Sequence, residues 1–204
     1  MRLWTIQPWS VWELIREDGE ARVDASRWSS PAYTPPSYDW LRSQLANRLD
    51  AYQGGYPWWC YCEKPDLRFH RHVHLCGGPH QVRLELKIEP ARVQILRIWA
   101  WHQVYCGLYL GTRRQERDWR SRRHRAGIDP GLHDAELAEP WRSELEDSWG
   151  RVFRPLPSRR NDAGQPSGHE AVVEILRRQD VRRVHEFRTT YESREAHIAA
   201  VKKR

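Results

Sequence analysis

The sequence has few of the features that would mark an exported or membrane protein. Its 204 residues include four cysteines, and no window approaches the roughly 18 consecutive apolar residues of a membrane span. Charged residues, among them Glu13, Arg16 and Asp18, occur before an apolar run typical of a signal peptide has developed. The cysteines also fall in one stretch, from Cys60 to Cys106, and are not spread as disulfide partners would be. We therefore expect a cytoplasmic protein with reduced thiols and no membrane partner.

Motifs of several common enzyme classes are missing as well. The sequence contains no glycine-rich phosphate loop, no G-x-S-x-G motif and no H-E-x-x-H motif. These absences remove the usual sequence evidence for P-loop nucleotide hydrolases, for serine hydrolases with a nucleophile elbow and for zinc proteases.

Tryptophan and arginine are abundant. Twelve tryptophans and eight tyrosines accompany only three phenylalanines, so nearly every large ring has an N–H or O–H that needs a partner when buried. The formal net charge of +7, from 34 Lys plus Arg against 27 Asp plus Glu, depends strongly on arginine. Arginine favours bidentate contacts with phosphate or carboxylate groups. We expect five tryptophans to lie in the core: Trp4, Trp40, Trp59, Trp99 and Trp149.

The order of extended and helical patterns predicts an α+β fold. Strands are expected over residues 3–7, 21–23, 58–61, 82–89 and 171–176. Helices are expected over residues 8–18, 38–49 with Ser37 as N-cap, the second half of 93–110, 112–125, 134–149, and 181–188 with Asp180 as N-cap. Because these elements do not repeat as βαβ units, we expect one compact domain over residues 1–190, with a mixed or antiparallel sheet and flanking helices. Residues 191–204 would form a basic C-terminal tail.

Potential metal ligands are dense between residues 60 and 80. They are Cys60, Cys62, His70, His72, His74, Cys76 and His80. On extended chain, side chains two residues apart share a face, so a zinc site is geometrically possible. The spacings are C-x-C and H-x-H-x-H, however, and ordinary structural zinc modules use C-x₂-C and H-x₃-H. We favour polar strand edges and loop over a metal site.

An arginine-rich segment follows at residues 113–125. On a helix, Arg113, Arg117 and Arg120 share one stripe with His124, and Trp119 would offer a ring for base stacking. This combination suits a nucleic acid or another polyanion. The alternative is a solvated basic face that pairs with the acidic helix at residues 136–147.

Two further groups of polar residues are candidates for a site. Lys64, Asp66 and Arg68 lie on a turn fixed by a proline directly after an aromatic strand, where they either bind a ligand or satisfy one another. Glu170 and Glu174 lie two strand repeats apart on an otherwise apolar strand. If they face a cleft, burial would raise the pKa of at least one of them, and the alternative is an edge exposed to solvent.

Several blocks together resemble the bacterial family known as domain of unknown function 3841. They are Leu3-Trp4-Thr5-Ile6-Gln7-Pro8, Tyr38-Asp39-Trp40, Trp58-Trp59, Lys64-Pro65-Asp66-Leu67-Arg68, Val82-Arg83-Leu84-Glu85, Ile98-Trp99-Ala100-Trp101-His102, Ser148 to Phe153, Glu170-Ala171-Val172 and Val181 to Phe187. The resemblance covers about residues 3 to 188. The family usually has Ser-Asp where this chain has Leu96-Arg97, and Gln where it has Glu170.

The order of elements also resembles the ADP-ribosyltransferase fold, in which NAD is held in a cleft and a strand-borne glutamate assists transfer. This resemblance implies Glu170 and Thr5 as catalytic residues, with Thr5 at the place where that fold has Arg or His. It implies a binding site formed by Gln7, Tyr38, Trp59, Lys64, Asp66 and Arg68. In that site Lys64 and Arg68 would hold the pyrophosphate, and Asp66 would orient ribose or a cationic side chain. The cofactor would be NAD, the acceptor is open, and the alternative function is polyanion binding by residues 113–125.

Overall fold

The computed structural model describes residues 1–24, 36–67, 79–129, 136–154 and 168–189. The strands are β1 (Arg2–Pro8), β2 (Glu20–Arg22), β3 (Trp58–Tyr61), β4 (His80–Lys87), β5 (Gln94–Arg97), β6 (His169–Val173), β7 (Ile175–Arg177) and β8 (Val181–Arg188). The helices are α1 (Trp9–Asp18), α2 (Pro36–Ala46), α3 (Ile98–Tyr105), α4 (Arg113–Arg125) and α5 (Trp141–Trp149). Short 3₁₀ helices cover Pro90–Arg92, Gly150–Phe153 and Arg178–Asp180.

Six of the strands form one antiparallel sheet in the order β5-β6-β3-β1-β4-β8, and β2 pairs with β7 in a second, two-stranded sheet. Strand β1 is central. It pairs with β4 at seven positions, from Arg2 opposite Lys87 to Pro8 opposite Gln81. Its pairing with β3 is limited to one position, Trp4 opposite Tyr61. The sheet is therefore continuous on one side of β1 and weakly joined on the other.

Each face of the large sheet carries its own core, because side chains alternate between the faces of a strand. On one face, Leu3, Leu84 and Val173 pack with Ile15 of α1 and Leu176 of β7. On the other face, the strand residues Leu96 and Val172 pack with residues of α2, α3, α4 and α5: Trp40, Leu41, Leu45, Ala100, Trp101, Val104, Trp119, Leu145 and Trp149. Helices thus flank an antiparallel sheet in one compact α+β domain.

Most of the predicted elements are confirmed, and the local reasons hold. Helix α1 ends at Gly19, whose φ of 84° is left-handed and suits glycine. The alternating segment from Val82 is strand β4. A helix is present in 93–110, but it spans Ile98–Tyr105 and so begins before the second half of the segment, where it was expected. The two carboxylates expected on one strand are separated by a break, because β6 ends at Val173 and Glu174 precedes β7.

Several predictions of helices, caps and burial are wrong. Residues 181–188 form strand β8, because their backbone pairs with β4 from His80–Arg188 to Leu86–Val181. Asp180 therefore caps no helix, and it is a buried partner of Arg92. Helix α2 begins at Pro36 with Ser37 inside it, and α5 begins at Trp141 after the turn at Glu139-Pro140. Trp99 is 76% exposed, because it lies on the outer side of α3 opposite Ala100, Trp101 and Val104.

Some predictions fall outside the described residues. These are Arg68, the segment from His70 to Cys76 and the basic tail over 191–204. In the ranges that the structure covers, no helix has both the length and the apolar character needed to cross a membrane.

Candidate functional site

A cleft opens where β1 and β3 separate. Beyond the single pair at Trp4 and Tyr61, side chains join the two strands. The Thr5 hydroxyl donates to the Trp59 carbonyl oxygen at 2.9 Å, and the Gln7 amide nitrogen donates to the Thr5 hydroxyl at 2.7 Å. The Trp59 carbonyl oxygen is thus satisfied by a side chain on β1.

The cleft contains a cavity of about 360 Å³, within the usual size range of small-molecule sites. Its described lining comes from β1, β3, β6 and α2, with Val23 and Pro57 from adjoining segments: Ile6, Gln7, Pro8, Val23, Tyr38, Pro57, Trp58, Trp59, Cys60, Tyr61 and Glu170. Four of these residues are aromatic, and no lysine or arginine is among them. The cavity therefore suits a planar, uncharged or cationic group better than a phosphate.

The aromatic walls are held by contacts behind them. Trp59 donates its indole N–H to the Tyr38 hydroxyl at 3.1 Å and packs against Trp101, with ring centroids 5.2 Å apart. Trp58 donates its indole N–H to the carbonyl oxygen of Ala21 at 3.1 Å. These contacts fix the ring orientations before any ligand arrives, which lowers the entropic cost of binding.

The loop that leads into β3 is fixed by a second carboxylate. Glu174 is 8% exposed and accepts hydrogen bonds from the backbone N–H groups of Gln53, at 2.9 Å, and Gly55, at 2.7 Å. Arg42 donates to the carbonyl oxygen of Gly54 in the same loop. Glu174 is therefore a structural group that positions the start of the cavity wall.

Glu170 is the titratable group of the cavity whose pKa lies near neutrality. It lies opposite Tyr61 on β3 and Leu96 on β5, and therefore on the face of the sheet that α2, α3, α4 and α5 cover. Burial raises the pKa of its carboxyl to about 7. Burial, with a smaller contribution from Glu170, also raises the pKa of Tyr61 to about 12. Near pH 7 the carboxyl can therefore donate or accept a proton, whereas the phenol remains neutral.

The cysteines beside the cavity are poor nucleophiles and poor metal ligands. Burial raises the pKa of the Cys60 thiol well above its usual range, and it raises the pKa of Cys62 to about 11. Both thiols are therefore protonated at neutral pH, and metal binding requires thiolate. Among the described residues, no three His, Cys, Asp or Glu side chains form a group that could hold a metal ion.

The profile of one family matches most of the chain, over residues 2–177, and its description is domain of unknown function (DUF3841). The chain belongs to this family. The match includes the strands that form the cleft, and it ends before β8. Neither the curated proteins nor the solved structures that were compared contain a match to the chain.

The structure brings four of the predicted site residues of this DUF3841 member together. Glu170, Gln7, Tyr38 and Trp59 all line the cavity. Thr5 is fully buried. It pairs with Leu84, whose side chain packs on the α1 face of the sheet, so Thr5 lies on the opposite face from Glu170. Thr5 is not among the described lining residues, and its hydroxyl takes part in the hydrogen bonds that join β1 to β3.

The turn at residues 63–66 lies beside the cavity without lining it. Lys64 is exposed and Asp66 is half-buried, while the carbonyl oxygen of Pro65 accepts from Arg83 of β4 at 3.1 Å. Leu67 packs on Ile6 and Phe187. Arg68 lies outside the described residues, so the predicted grouping of Lys64, Asp66 and Arg68 with Glu170 is not seen in the part of the chain that the structure describes.

Several lining residues were not predicted from the sequence, above all Trp58, Tyr61 and Pro57. The aromatic strand from Trp58 to Tyr61 was visible in the sequence. Its residues line the cavity from both faces, and only the separation of β1 from β3 makes that possible. No local sequence pattern predicts such a separation of two strands.

The arginine-rich helix is partly paired, as one of the alternatives expected. Arg122 of α4 forms a bidentate ion pair with Glu144 of α5, in which Nη1 lies 2.9 Å from Oε2. Its Nε also lies 3.1 Å from Oδ2 of Asp118. Trp119 is 3% exposed and stacks on Tyr109, so it offers no ring for base stacking. Arg113, Arg117 and Arg120 are exposed, and Arg120 also pairs with Glu116 on the same helix.

Proposed function

We propose that the cleft between β1 and β3 binds a nucleotide-type small molecule, NAD, and that the chain is an ADP-ribosyltransferase-like domain acting on an acceptor still to be identified. The observation that carries the proposal is Glu170, a carboxyl with a pKa of about 7 in a cavity walled by aromatic rings. The resemblance in element order to ADP-ribosyltransferases supports the same assignment.

The lining fits the nicotinamide ribose end of NAD. Trp59 and Tyr61 offer faces or edges to a planar ring, and the Gln7 amide offers hydrogen bonds to a carboxamide. Because no described lining residue is a cation, the pyrophosphate would lie outside the cavity. Lys64, Asp66 and Arg68 remain predictions for that outer part.

The chemistry assigned to Glu170 is electrostatic. In ADP-ribosyl transfer the bond between the ribosyl carbon and the nicotinamide nitrogen breaks, nicotinamide leaves with the electron pair, and the acceptor forms the new bond. Positive charge develops on the ribosyl carbon, and an ionised carboxylate held nearby stabilises it. Since burial raises the pKa of Glu170 to about 7, the rate should rise with pH through neutrality.

Nicotinamide release from labelled NAD, together with transfer to added protein acceptors, tests the proposal. We expect release by the parent protein and a loss of about 100-fold or more in Glu170→Gln. The exposed Glu17→Gln variant is the matched control and should keep the parent rate. A parent protein that neither binds nor cleaves NAD would contradict the proposal, as would a Glu170→Gln variant with the parent rate.

A second candidate function, polyanion binding, is favoured by one observation. The side chains of Arg113, Arg117 and Arg120 lie on the solvent side of α4, where three cations one turn apart can follow a phosphate backbone. With Trp119 buried, this surface would bind by charge without base stacking.

A further inference from the structure

A second groove lies near the other end of β1. It has a volume of about 360 Å³ and is open to solvent along the end of β4 and the start of β8. Six of its lining residues are charged: Lys87, Glu89, Arg92, Arg177, Asp180 and Arg182. Lys87 pairs with Arg2, whereas the cleft is lined by Gln7 and Pro8. At about 3.3 Å per residue of strand, the two sites are roughly 15–20 Å apart.

A bulge in β8 places one of the cations. Glu85 of β4 lies opposite Arg183, but the next residue, Leu86, lies opposite Val181. Arg182 is therefore the additional residue that has no partner position in β4. A bulge of this kind changes the direction of a side chain relative to a regular strand. Here the bulged residue lines the groove.

A buried ion pair supports the groove floor. Arg92 donates to Asp180 at 2.8 Å and to the carbonyl oxygen of Ile175 at 3.1 Å. The two side chains are 16% and 8% exposed, so water screens the pair little. This pair ties the 3₁₀ turn after β7 to the turn after β4, and it fixes the spacing of the groove walls.

The remaining charge of the groove is positive. Lys87 and Arg182 are exposed, and in the described chain neither forms an ion pair or a side-chain hydrogen bond. Arg177 has a long contact with Glu20, with Nε to Oε2 at 3.9 Å. The carboxylate of Glu89 offsets one of these three positive charges, whereas the carboxylate of Asp180 is already paired with Arg92. Three cations around one groove attract an anion that carries several acceptor oxygens.

We propose that this groove binds a phosphate group, with Arg182 and Lys87 as direct contacts and Arg177 as a third. A guanidinium and an ammonium can donate to different oxygens of one phosphate, and the rigid pair beneath them reduces the entropy lost on binding. This site is independent of the cleft, since none of its lining residues is shared with it.

Backbone amide NMR of the full chain, titrated with inorganic phosphate and separately with ribose 5-phosphate, tests this site. We expect shifts concentrated at residues 87–92 and 177–182. Affinity should fall about tenfold or more in Arg182→Gln and in Lys87→Gln. The exposed Arg114→Gln variant removes the same charge from α4 and should bind as the parent does. Glu170→Gln should also bind phosphate normally.

Sodium chloride at equal ionic strength is the reference for nonspecific charge effects. The proposal is overturned if chloride produces the same shifts, or if Arg182→Gln and Lys87→Gln bind phosphate as the parent does. Tighter binding of ribose 5-phosphate than of inorganic phosphate would assign the site to a phosphorylated small molecule, and the reverse order would assign it to free phosphate. Unfolding curves confirm that each exposed-site variant is folded.

Discussion

Glu170 and Glu174 lie four residues apart at the end of one sheet, yet their surroundings give them opposite roles. Glu174 accepts hydrogen bonds from two backbone N–H groups and thereby holds the loop before β3. Glu170 faces the aromatic cavity, and burial raises its pKa to about 7. Their sequence spacing predicted one shared face. The break after Val173 is what separates them.

The raised pKa of Glu170 makes a prediction about stability. In the unfolded chain a glutamate titrates near pH 4.3, so between that pH and about 7 the folded state binds more protons than the unfolded state. The contribution of the neutral carboxyl to the free energy of unfolding is complete below about pH 4.3 and is lost as the pH rises through 7. We expect the free energy of unfolding to fall, relative to Glu170→Gln, by about 2–3 kcal/mol between pH 5 and pH 8.

Urea denaturation of the two proteins at both pH values measures this difference. The exposed Glu17→Gln variant should follow the parent protein at both pH values. If the parent and Glu170→Gln change in parallel, the carboxyl titrates alike in both states and the environment assigned to it is wrong.

Secondary elements show where sequence patterns suffice and where they do not. Strand β4 alternates apolar and charged residues, and this pattern alone predicts a strand. In the structure β4 pairs with an antiparallel strand on each side. Strand β8 exposes most of its side chains and, within the described ranges, pairs with β4 alone, so nothing in its local pattern distinguishes it from a solvated helix. Its conformation depends on backbone pairing with a distant strand. The cleft depends on the same kind of long-range pairing.

Helix α4 shows how one arginine-rich segment divides between structure and surface. Its inner side packs on the rest of the domain, because Trp119 lies in the core and Arg122 forms an ion pair with Glu144. Its outer side carries Arg113, Arg117 and Arg120. If this side binds a nucleic acid, the affinity must depend on salt, because binding releases counterions from the phosphates.

Fluorescence anisotropy of a labelled single-stranded oligonucleotide, measured across a salt series, tests the outer side of α4. Replacing Arg113, Arg117 and Arg120 with Gln should make the slope of log affinity against log salt less steep by about 2. Gln at the exposed Arg16, Arg183 and Arg188 gives a control of equal charge, whose slope should match the parent. Equal slopes in both triple variants, or no binding by the parent, would remove this candidate function.

Across the whole molecule, charge and aromatic surface are divided among three places. The cleft has aromatic walls and one carboxyl, the groove at the start of β8 has an excess of cations, and α4 has an exposed basic stripe. Composition shows the arginine excess, and the order of extended and helical patterns predicted a compact α+β domain. Neither could predict this division, because which side chains meet is decided by strand order and by the limited pairing of β1 with β3.

We propose that Glu170 titrates near neutrality inside a cleft that binds NAD. Carbon-13 NMR of protein labelled at the glutamate carboxyl carbons tests it directly, with the Glu170 signal identified by its loss in Glu170→Gln. We predict a titration midpoint near pH 7 for this signal and a change in both its position and its midpoint when NAD is added. A midpoint near that of an ordinary glutamate, unaffected by NAD, would contradict this proposal.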